Sequence, residues 1–266
     1  MYQTDYHLHT DFSFDGHQNM DELCEKAIAI GLNEIAITDH MDIYSDKPYE
    51  SILDCPALMN SLERCREKYK NQIIIRKGIE LGQPMVNKVQ YRRFLLDYPD
   101  LDFIIGSVHN MEGDIDVSEY DFNKKNPYQV FDQYLDWLID FAANYDCDVI
   151  GHITYPLRYF SDASVEFDLK DFYEKLEFLF KCVIENGKGI ELNVSGFRQR
   201  IMDSMPPKKI LALYKECKGE ILTFGSDAHF NNHVGHGLEK GRLLAKETGF
   251  KYATTFEHRE PKFYPL

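Results

Sequence analysis

The whole chain alternates between short runs rich in isoleucine and valine and longer amphipathic stretches. The short runs are almost continuously apolar, which is typical of parallel strands that helices cover on both faces of the sheet. This order, repeated seven or eight times, predicts an α/β barrel whose parallel strands are joined by right-handed crossovers. Strands are predicted at Tyr2–His9, Glu34–His40, Ile73–Glu80, Leu101–His109, Asp148–Ile153, Gly189–Val194 and Ile221–Asp227, with an eighth at Tyr252–Phe256.

Helices are predicted between these strands, and the first of them ends at Gly31, a residue type favoured after the last helical turn. Other helices are predicted within residues 127–146, 169–187 and 206–219. The chain of 266 residues contains no Pro/Gly/Ser-rich linker, charge block or repeat that would divide it. We therefore expect a single barrel domain over residues 1–266, close to the roughly 250 residues typical of such barrels.

Each of the first seven predicted strands ends in a residue type that can bind a metal ion. The carboxyl ends of barrel strands converge on one face, where barrel enzymes place their active sites. Imidazole and carboxylate groups are good ligands for zinc, iron and manganese. One such histidine alone could equally be a hydrogen-bonded core residue, but seven endings of this kind together predict a metal site. These strand-end residues are His7, His9, Asp39, His40, Glu80, His109, His152, Asn193 and Asp227, followed by His229.

The charge of the chain limits the partners that it can bind. Lys and Arg number 30 and Asp and Glu number 44, which gives a net charge of −14. Such a surface repels polyanions and argues against a general DNA- or RNA-coating role. A small phosphorylated substrate is still permitted, because local cations can invert the field inside one pocket.

The six scattered cysteines predict reduced thiols in a cytoplasmic protein, and no signal peptide or apolar membrane segment is expected.

Several motifs in this order resemble those of the PHP (polymerase and histidinol phosphatase) superfamily. They are HLHTDFSFDG at the start, ITDH, GIE, SVH, GH and GSDAH. The segments HITYPLRYF and ELNVSGFR are similar to segments of the histidinol-phosphatase branch. The resemblance runs from the first strand to the seventh. It implies a distorted (β/α)7 barrel that holds two or three divalent metal ions at the C-terminal ends of its strands, with the eighth strand peripheral.

The resemblance also implies how the ligands are shared. His7, His9, Glu80 and Asp227 would hold one metal, and Glu80 would bridge to a second metal held by His109 and His152. His40 and His229 would lie at a third site with Asp15. Many members of the superfamily have histidine at the position of Asp15. That carboxylate could therefore be a third-site ligand, or it could act with His40 as a catalytic acid or base.

A phosphate group bound at such a site also needs cationic donors. Arg158 and Arg198 follow the fifth and sixth predicted strands, so both are expected in loops on the active face. Guanidinium matches phosphate oxygens bidentately, and Ser195 could add a hydroxyl donor. The alternative is that both arginines are solvated surface charges. His233 and His236, in the loop after the seventh strand, could line the pocket mouth or be solvated.

The leading functional hypothesis is a metal-dependent phosphomonoesterase, since two or three cations about 3.5–4 Å apart activate a bridging water and neutralise phosphate oxygens. Resemblance implies histidinol phosphate as the substrate, in histidine biosynthesis. Asp15 or His40 would protonate the leaving oxygen, while Arg158 and Arg198 hold the phosphate. The alternatives are a PHP-type nuclease or nucleotide phosphoesterase, and a metal-binding protein without catalysis. The charge of −14 disfavours a long nucleic acid as substrate.

Overall fold

Seven parallel strand positions, each followed by helical segments, make up the body of the molecule. The structure is a computed structural model, and it describes residues 2–160 and 167–266. The strands are β1 (Thr4–Asp5), β2 (Glu34–Ile37), β3 (His40–Asp42), β4 (Ile74–Gly82), β5 (Phe103–Ser107), β6 (Val149–Ile150), β7 (Gly189–Asn193), β8 (Leu222–Gly225), β9 (Tyr252–Glu257) and β10 (Glu260–Pro265). The main helices are α1 (Met20–Ala29), α2 (Cys55–Tyr69), α3 (Lys88–Asp97), α4 (Pro127–Asn144), α5 (Tyr173–Glu185), α6 (Lys208–Glu216) and α7 (Leu238–Glu247).

The strands pair in parallel in the order β1-β2-β4-β5-β6-β7-β8. β3 continues the line of β2 along β4, which places His40 opposite Glu80. Backbone hydrogen bonds join the first and last positions: Tyr6 N donates to Phe224 O at 2.8 Å, and Asp227 N donates to His7 O at 2.8 Å. The barrel is thereby nearly closed, and the predicted distorted (β/α)7 barrel is confirmed.

Regular pairing in β1 is shorter than the predicted strand because side chains take over the hydrogen bonding beyond it. Leu8 N donates to Thr38 Oγ1 at 3.1 Å, and Thr10 N donates to Asp39 Oδ1 at 2.7 Å. The Asp39 carboxylate also accepts from the hydroxyls of Thr10 and Ser13. Asp39 therefore fixes the loop after β1, which is a structural task for one of the strand-end residues.

Helix α1 illustrates how local sequence sets the element bounds. The side chain of Asn19 accepts a hydrogen bond from Glu22 N at 3.0 Å, and the Glu22 carboxylate accepts one from Asn19 N, which forms a capping box. The chain leaves the helix through Gly31, whose φ of 80° favours glycine. This end agrees with the helix end predicted at Gly31. In the part of the chain described, no helix has the length and apolar character needed to cross a bilayer.

The eighth predicted strand lies outside the barrel, at its amino-terminal end. It forms β9, which pairs with β10 in an antiparallel hairpin. Phe256 of this hairpin packs in a buried cluster with Tyr6, Ala36, Phe103, Ile105 and Val149. Phe256 N also donates to the hydroxyl of Tyr6 at 3.0 Å. The hairpin thus covers the end of the barrel that is opposite to the carboxyl ends of the strands.

This position predicts a loss of stability without a loss of function. We expect Phe256→Ala to lower the free energy of unfolding by about 3–5 kcal/mol, because it leaves a cavity in a buried aromatic cluster. Phe263→Ala, in the same hairpin but 45% exposed, should change it by about 1 kcal/mol or less. Urea unfolding followed by the fluorescence of the single tryptophan, Trp137, measures both. Equal losses in the two variants would contradict this role for Phe256.

Candidate metal centre

The nine residues proposed from the sequence as metal ligands lie together at the carboxyl ends of the strands. Three-residue groups with their ligand atoms within 4.8 Å of one another include His7–His9–Asp227, His7–Glu80–His152 and His9–His40–His229. A fourth group joins His109 to His40 and Asp42. Asp15 approaches this cluster through Oδ2, at 3.1 Å from His229 Nε2, and through Oδ1, at 3.6 Å from His40 Nε2. The fold therefore brings the side chains of all nine proposed ligands close together.

Glu80 lies at the centre of the cluster and is 1% exposed. Its Oε2 lies 3.1 Å from His7 Nε2 and 3.0 Å from His40 Nδ1. Its Oε1 lies 2.8 Å from His152 Nε2 and 3.1 Å from His109 Nε2. One carboxylate therefore faces two sets of imidazoles, one set through each oxygen, as a bridging ligand requires.

Whether a cation suits this site can be judged from the buried nitrogen and oxygen atoms that form no hydrogen bond. His7 Nε2, His9 Nε2, His40 Nδ1, Glu80 Oε2 and Asp15 Oδ1 are buried and have no hydrogen-bond partner among the residues that the structure describes. His7 Nε2 and Glu80 Oε2 lie 3.1 Å apart without being aligned as donor and acceptor. Burying unpaired polar atoms is costly, and a divalent cation between them would remove that cost. The donor set of imidazole nitrogens and carboxylate oxygens fits zinc, iron or manganese.

Carboxylates behind the cluster orient its histidines. Glu191 Oε1 lies 2.7 Å from His7 Nδ1, and Asp42 Oδ1 lies 3.0 Å from His109 Nδ1. A hydrogen bond at Nδ1 fixes the imidazole ring and leaves Nε2 to face a metal. Sequence reasoning missed both acids. The available signal for Glu191 was the alternation along β7, since it lies two residues before Asn193 on the same face.

Electrostatics keeps the acidic groups ionised and one central imidazole neutral. Burial raises the pKa of Glu80, but the imidazoles of His7, His109 and His40 outweigh it and hold the pKa well below its usual range. The pKa of Asp227 is likewise depressed, because His7 and Arg158 outweigh burial. Burial, together with the other imidazoles, lowers the pKa of His9 well below its usual value. The ionised carboxylates and the neutral His9 are in the protonation states that bind metal. The surrounding carboxylates outweigh burial and raise the pKa of His7 and His109, so these two imidazoles lose a proton when a cation binds.

A cavity of about 220 Å³ opens onto the cluster. Of the described residues, those lining it include seven of the nine proposed ligands; His7 and His9 are fully buried and do not line it. Sequence reasoning missed several other lining residues, of which Asp42 lies in β3 and the others lie outside the strands. They are Phe14, Asp42, Asp116, Ser118, Tyr155 and Tyr159.

The two predicted arginines occupy different positions. Arg158 lines the cavity, and its Nη2 donates to Asp227 Oδ2 at 2.8 Å and to Ser195 Oγ at 2.6 Å. Arg198 donates from Nη1 to Ser226 O at 2.7 Å and from Nη2 to Asp227 O at 2.6 Å. Arg198 lines a neighbouring cleft, which also borders Arg158. Arg158 is thus placed to meet a substrate directly, whereas Arg198 supports the backbone that carries Asp227.

The remaining sequence candidates lie apart from the cavity. Ser195 is fully buried and reaches it only through its hydrogen bonds to Arg158 and Asp227. Of the two loop histidines, His236 lines a different cleft beside α7. Neither His233 nor His236 is among the described residues that line the cavity at the metal cluster.

Comparison with known proteins extends these observations. The PHP domain family matches residues 5–195. A histidinol-phosphatase from Lactococcus lactis is 30% identical over 96% of this chain and 95% of its own. A probable histidinol-phosphatase from Thermotoga maritima is 26% identical over 93% of both chains. A crystal structure of histidinol phosphate phosphatase from Lactococcus lactis, complexed with zinc, L-histidinol and phosphate, has a TM-score of 0.82 and 27% identity, and the match covers 98% of each chain.

Proposed function

Since the chain belongs to the PHP domain family, we propose that it is a metal-dependent phosphomonoesterase that hydrolyses L-histidinol phosphate to L-histidinol and phosphate in histidine biosynthesis. The observation that carries the proposal is Glu80, whose two oxygens face two sets of imidazoles beside a cavity that Arg158 lines. The relatives named histidinol-phosphatase and the zinc-, histidinol- and phosphate-bound neighbour support the same reaction.

Two or three divalent cations are proposed for the cluster, with zinc, iron or manganese as the candidates. His7, His9, Asp227 and Glu80 would hold one of them. Glu80 would bridge to a second, held also by His109 and His152. His40, His229 and Asp15 would hold a third. When bound, such cations acidify water and neutralise the charge on phosphate oxygens.

The organic part of the substrate needs different groups from the phosphate. Arg158 would bind phosphate oxygens, held in place by Ser195 and Asp227. Histidinol carries an ammonium group and an imidazole, and Asp116 places a carboxylate on the cavity wall. The hydroxyl of Tyr155 donates to Asp116 Oδ1 at 3.3 Å and steadies it. We propose that Asp116 pairs with the cationic end of the substrate.

A panel of phosphate esters tests this function. The metal-loaded protein should release phosphate from L-histidinol phosphate with a kcat/KM at least about tenfold above that for monoesters without an amine, since one charge-assisted hydrogen bond contributes about 1.5–3 kcal/mol. Asp116→Asn should narrow that preference, whereas Asp121→Asn, in the neighbouring cleft, should not. Diesters cleaved as fast as monoesters would instead favour a nuclease or nucleotide phosphoesterase.

A substitution of Asp15 distinguishes a role as metal ligand from a role in proton transfer. We expect Asp15→Asn to lower turnover by about 10²–10⁴-fold, the usual contribution of a general acid or base, while the protein keeps at least two metals per chain. The reason is that Asp15 is 40% exposed at the cavity mouth, whereas the groups around Glu80 are buried. Elemental analysis beside steady-state kinetics measures both quantities. Metal loss in proportion to activity would make Asp15 chiefly a ligand and leave His40 as the proton donor.

We also propose a cytoplasmic location and a single domain over residues 1–266. The buried thiols of Cys24, Cys55, Cys65 and Cys147 support the location, because free buried cysteines persist in reducing compartments. Burial raises the pKa of Cys55 and Cys147 to about 12, which keeps both unreactive.

A further inference from the structure

Gln83 follows strand β4 directly and lies behind the metal cluster. It is fully buried although its side chain is polar, and its φ of 32° lies in the left-handed region. Residues other than glycine, asparagine and aspartate seldom adopt this conformation, which costs free energy and persists only where surrounding contacts maintain it. One such contact comes from the backbone, since Gln83 N donates to Ser107 O at 3.0 Å. The others come from the side chain.

The amide of Gln83 joins three groups around the cluster. Its Nε2 donates to Asp42 Oδ1 at 2.9 Å. Its Oε1 accepts from His109 N at 3.1 Å and from Asn110 N at 3.2 Å. The carboxylate requires a donor and the two N–H groups require an acceptor, so these partners fix which way the amide points. A single side chain therefore connects the carboxylate that orients His109 to the backbone of His109 itself.

The position of the Asp42 carboxylate is closely defined. The Oδ1 that accepts from Gln83 also lies 3.0 Å from His109 Nδ1. The same oxygen lies against Gly82, where an added Cβ would be 1.8 Å from it. Glycine at position 82 thus leaves the space that the carboxylate occupies, and Gln83 holds the carboxylate in that space. The other nitrogen of the His109 ring, Nε2, lies 3.1 Å from Glu80 Oε1 in the cluster.

We propose that Gln83 is a positioning residue for the second metal, because it holds Asp42 and His109 in the arrangement in which His109 presents Nε2 to the cluster. The inference rests on the proposed metal centre, and it assigns a task to a residue that lies behind the ligands. Gln83 is not among the described residues that line the cavity, so its effect reaches the metal through Asp42 and His109. Loss of such support weakens metal binding by about 10–100-fold.

Gln83→Glu tests the proposal with almost no change of shape. Glutamate keeps an oxygen for the N–H groups of His109 and Asn110, but it replaces the donor to Asp42 by a second carboxylate oxygen. Zinc titration of the metal-free protein against a competing chelator measures the affinity. We expect this variant to bind its weakest zinc about 10–100-fold less tightly than the parent does. Gln90→Glu, on α3, adds the same charge where the side chain accepts from Tyr49 N, and it should bind zinc like the parent.

A spectroscopic signal separates positioning from a general loosening of the fold. In zinc-loaded protein labelled with ¹⁵N at histidine, Nδ1–H of His109 donates to Asp42 and Nδ1–H of His7 donates to Glu191. Each ring signal is assigned by its change in Asp42→Asn or Glu191→Gln. We expect Gln83→Glu to shift the signal of His109 and to leave the signal of His7 in place, because Gln83 contacts only the first of these pairs among the residues described.

A second variant keeps the test decisive should Gln83→Glu fail to fold. Asparagine tolerates the left-handed backbone better than glutamine, but in Gln83→Asn the amide is one methylene too short to reach Asp42. This variant should also weaken zinc binding and shift the His109 signal. Zinc affinity equal to that of the parent in both variants, or equal shifts of both histidine signals, would overturn the proposal. These readouts need no phosphatase activity, so a parent that binds zinc without cleaving L-histidinol phosphate would refute the proposed function alone.

Discussion

Replacing Glu80 by glutamine is expected to abolish phosphate release while the barrel remains folded. The carboxylate offers Oε2 to His7 and His40 and Oε1 to His109 and His152, so a single group serves both halves of the cluster. A neutral amide has one oxygen acceptor and no negative charge with which to hold two cations. We expect turnover to fall by about three powers of ten or more, because metal-assisted charge neutralisation contributes several kcal/mol.

Glu191→Gln is the matched control for this variant. Glu191 is as deeply buried as Glu80 and contacts His7 Nδ1 at 2.7 Å, but it lies behind the cluster. Glutamine can still accept a hydrogen bond there, so the loss should be about 10–100-fold, as is usual for groups that orient metal ligands. Elemental analysis, circular dichroism and phosphate release measure metal, fold and turnover in both variants. Near-normal metal content and activity in Glu80→Gln would disprove its bridging role.

Arg158→Ala is expected to lower kcat/KM for phosphomonoesters by about 10–100-fold, the effect of losing one or two charge-assisted hydrogen bonds. Its guanidinium lines the cavity and is held by Ser195 and Asp227, so it meets the phosphate in a fixed orientation. Arg158→Lys should retain little of the kcat/KM that Arg158→Ala loses, because lysine cannot form the bidentate pair with phosphate. Burial acts to lower the pKa of Arg158, but the Asp227 carboxylate outweighs burial and raises it, so the charge of Arg158 persists across the accessible pH range.

Arg198→Ala should also cost at least about tenfold in kcat/KM, because its guanidinium holds the carbonyls of Ser226 and Asp227 and so positions the Asp227 carboxylate. Because both arginines act around Asp227, the loss in the double variant should be smaller than the product of the two single losses. Metal content measured in each variant separates phosphate binding from damage to the cluster. An Arg158→Ala variant that discriminates monoesters from diesters as well as the parent would show that Arg158 does not hold the phosphate.

The strand ends were the predictable part of the site. His109 and His152 follow apolar runs, and barrel geometry alone brings the carboxyl ends of those runs to one face. Asp39 follows such a run as well, yet it hydrogen-bonds Thr10 and Ser13 in the adjoining loop. Position at a strand end therefore predicts which face a residue lies on. It does not predict whether its side chain turns toward the cavity or toward the backbone.

The residues that orient the histidines or line the cavity from loops could not be predicted from the sequence, for a different reason. Glu191 and Asp42 act by contacts to histidines that are distant in sequence, and no local spacing encodes those pairs. Asp116 and Tyr155 reach the cavity from loops, whose course depends on tertiary packing. The eighth strand shows the same limit: its β-rich sequence predicts a strand, but the antiparallel pairing with β10 outside the barrel follows from the short turn after Glu257. The single-domain assignment stays a prediction.

The most direct test of metal-dependent hydrolysis is one series of measurements on one preparation. Phosphate release from L-histidinol phosphate is recorded for the metal-loaded protein, after removal of metal by a chelator, and after zinc or manganese is added back. The metal bound per chain is counted at each stage. We predict that release collapses with the loss of metal and returns in proportion to the metal regained. Undiminished release by the stripped protein, or none by the loaded protein, would contradict the proposed reaction.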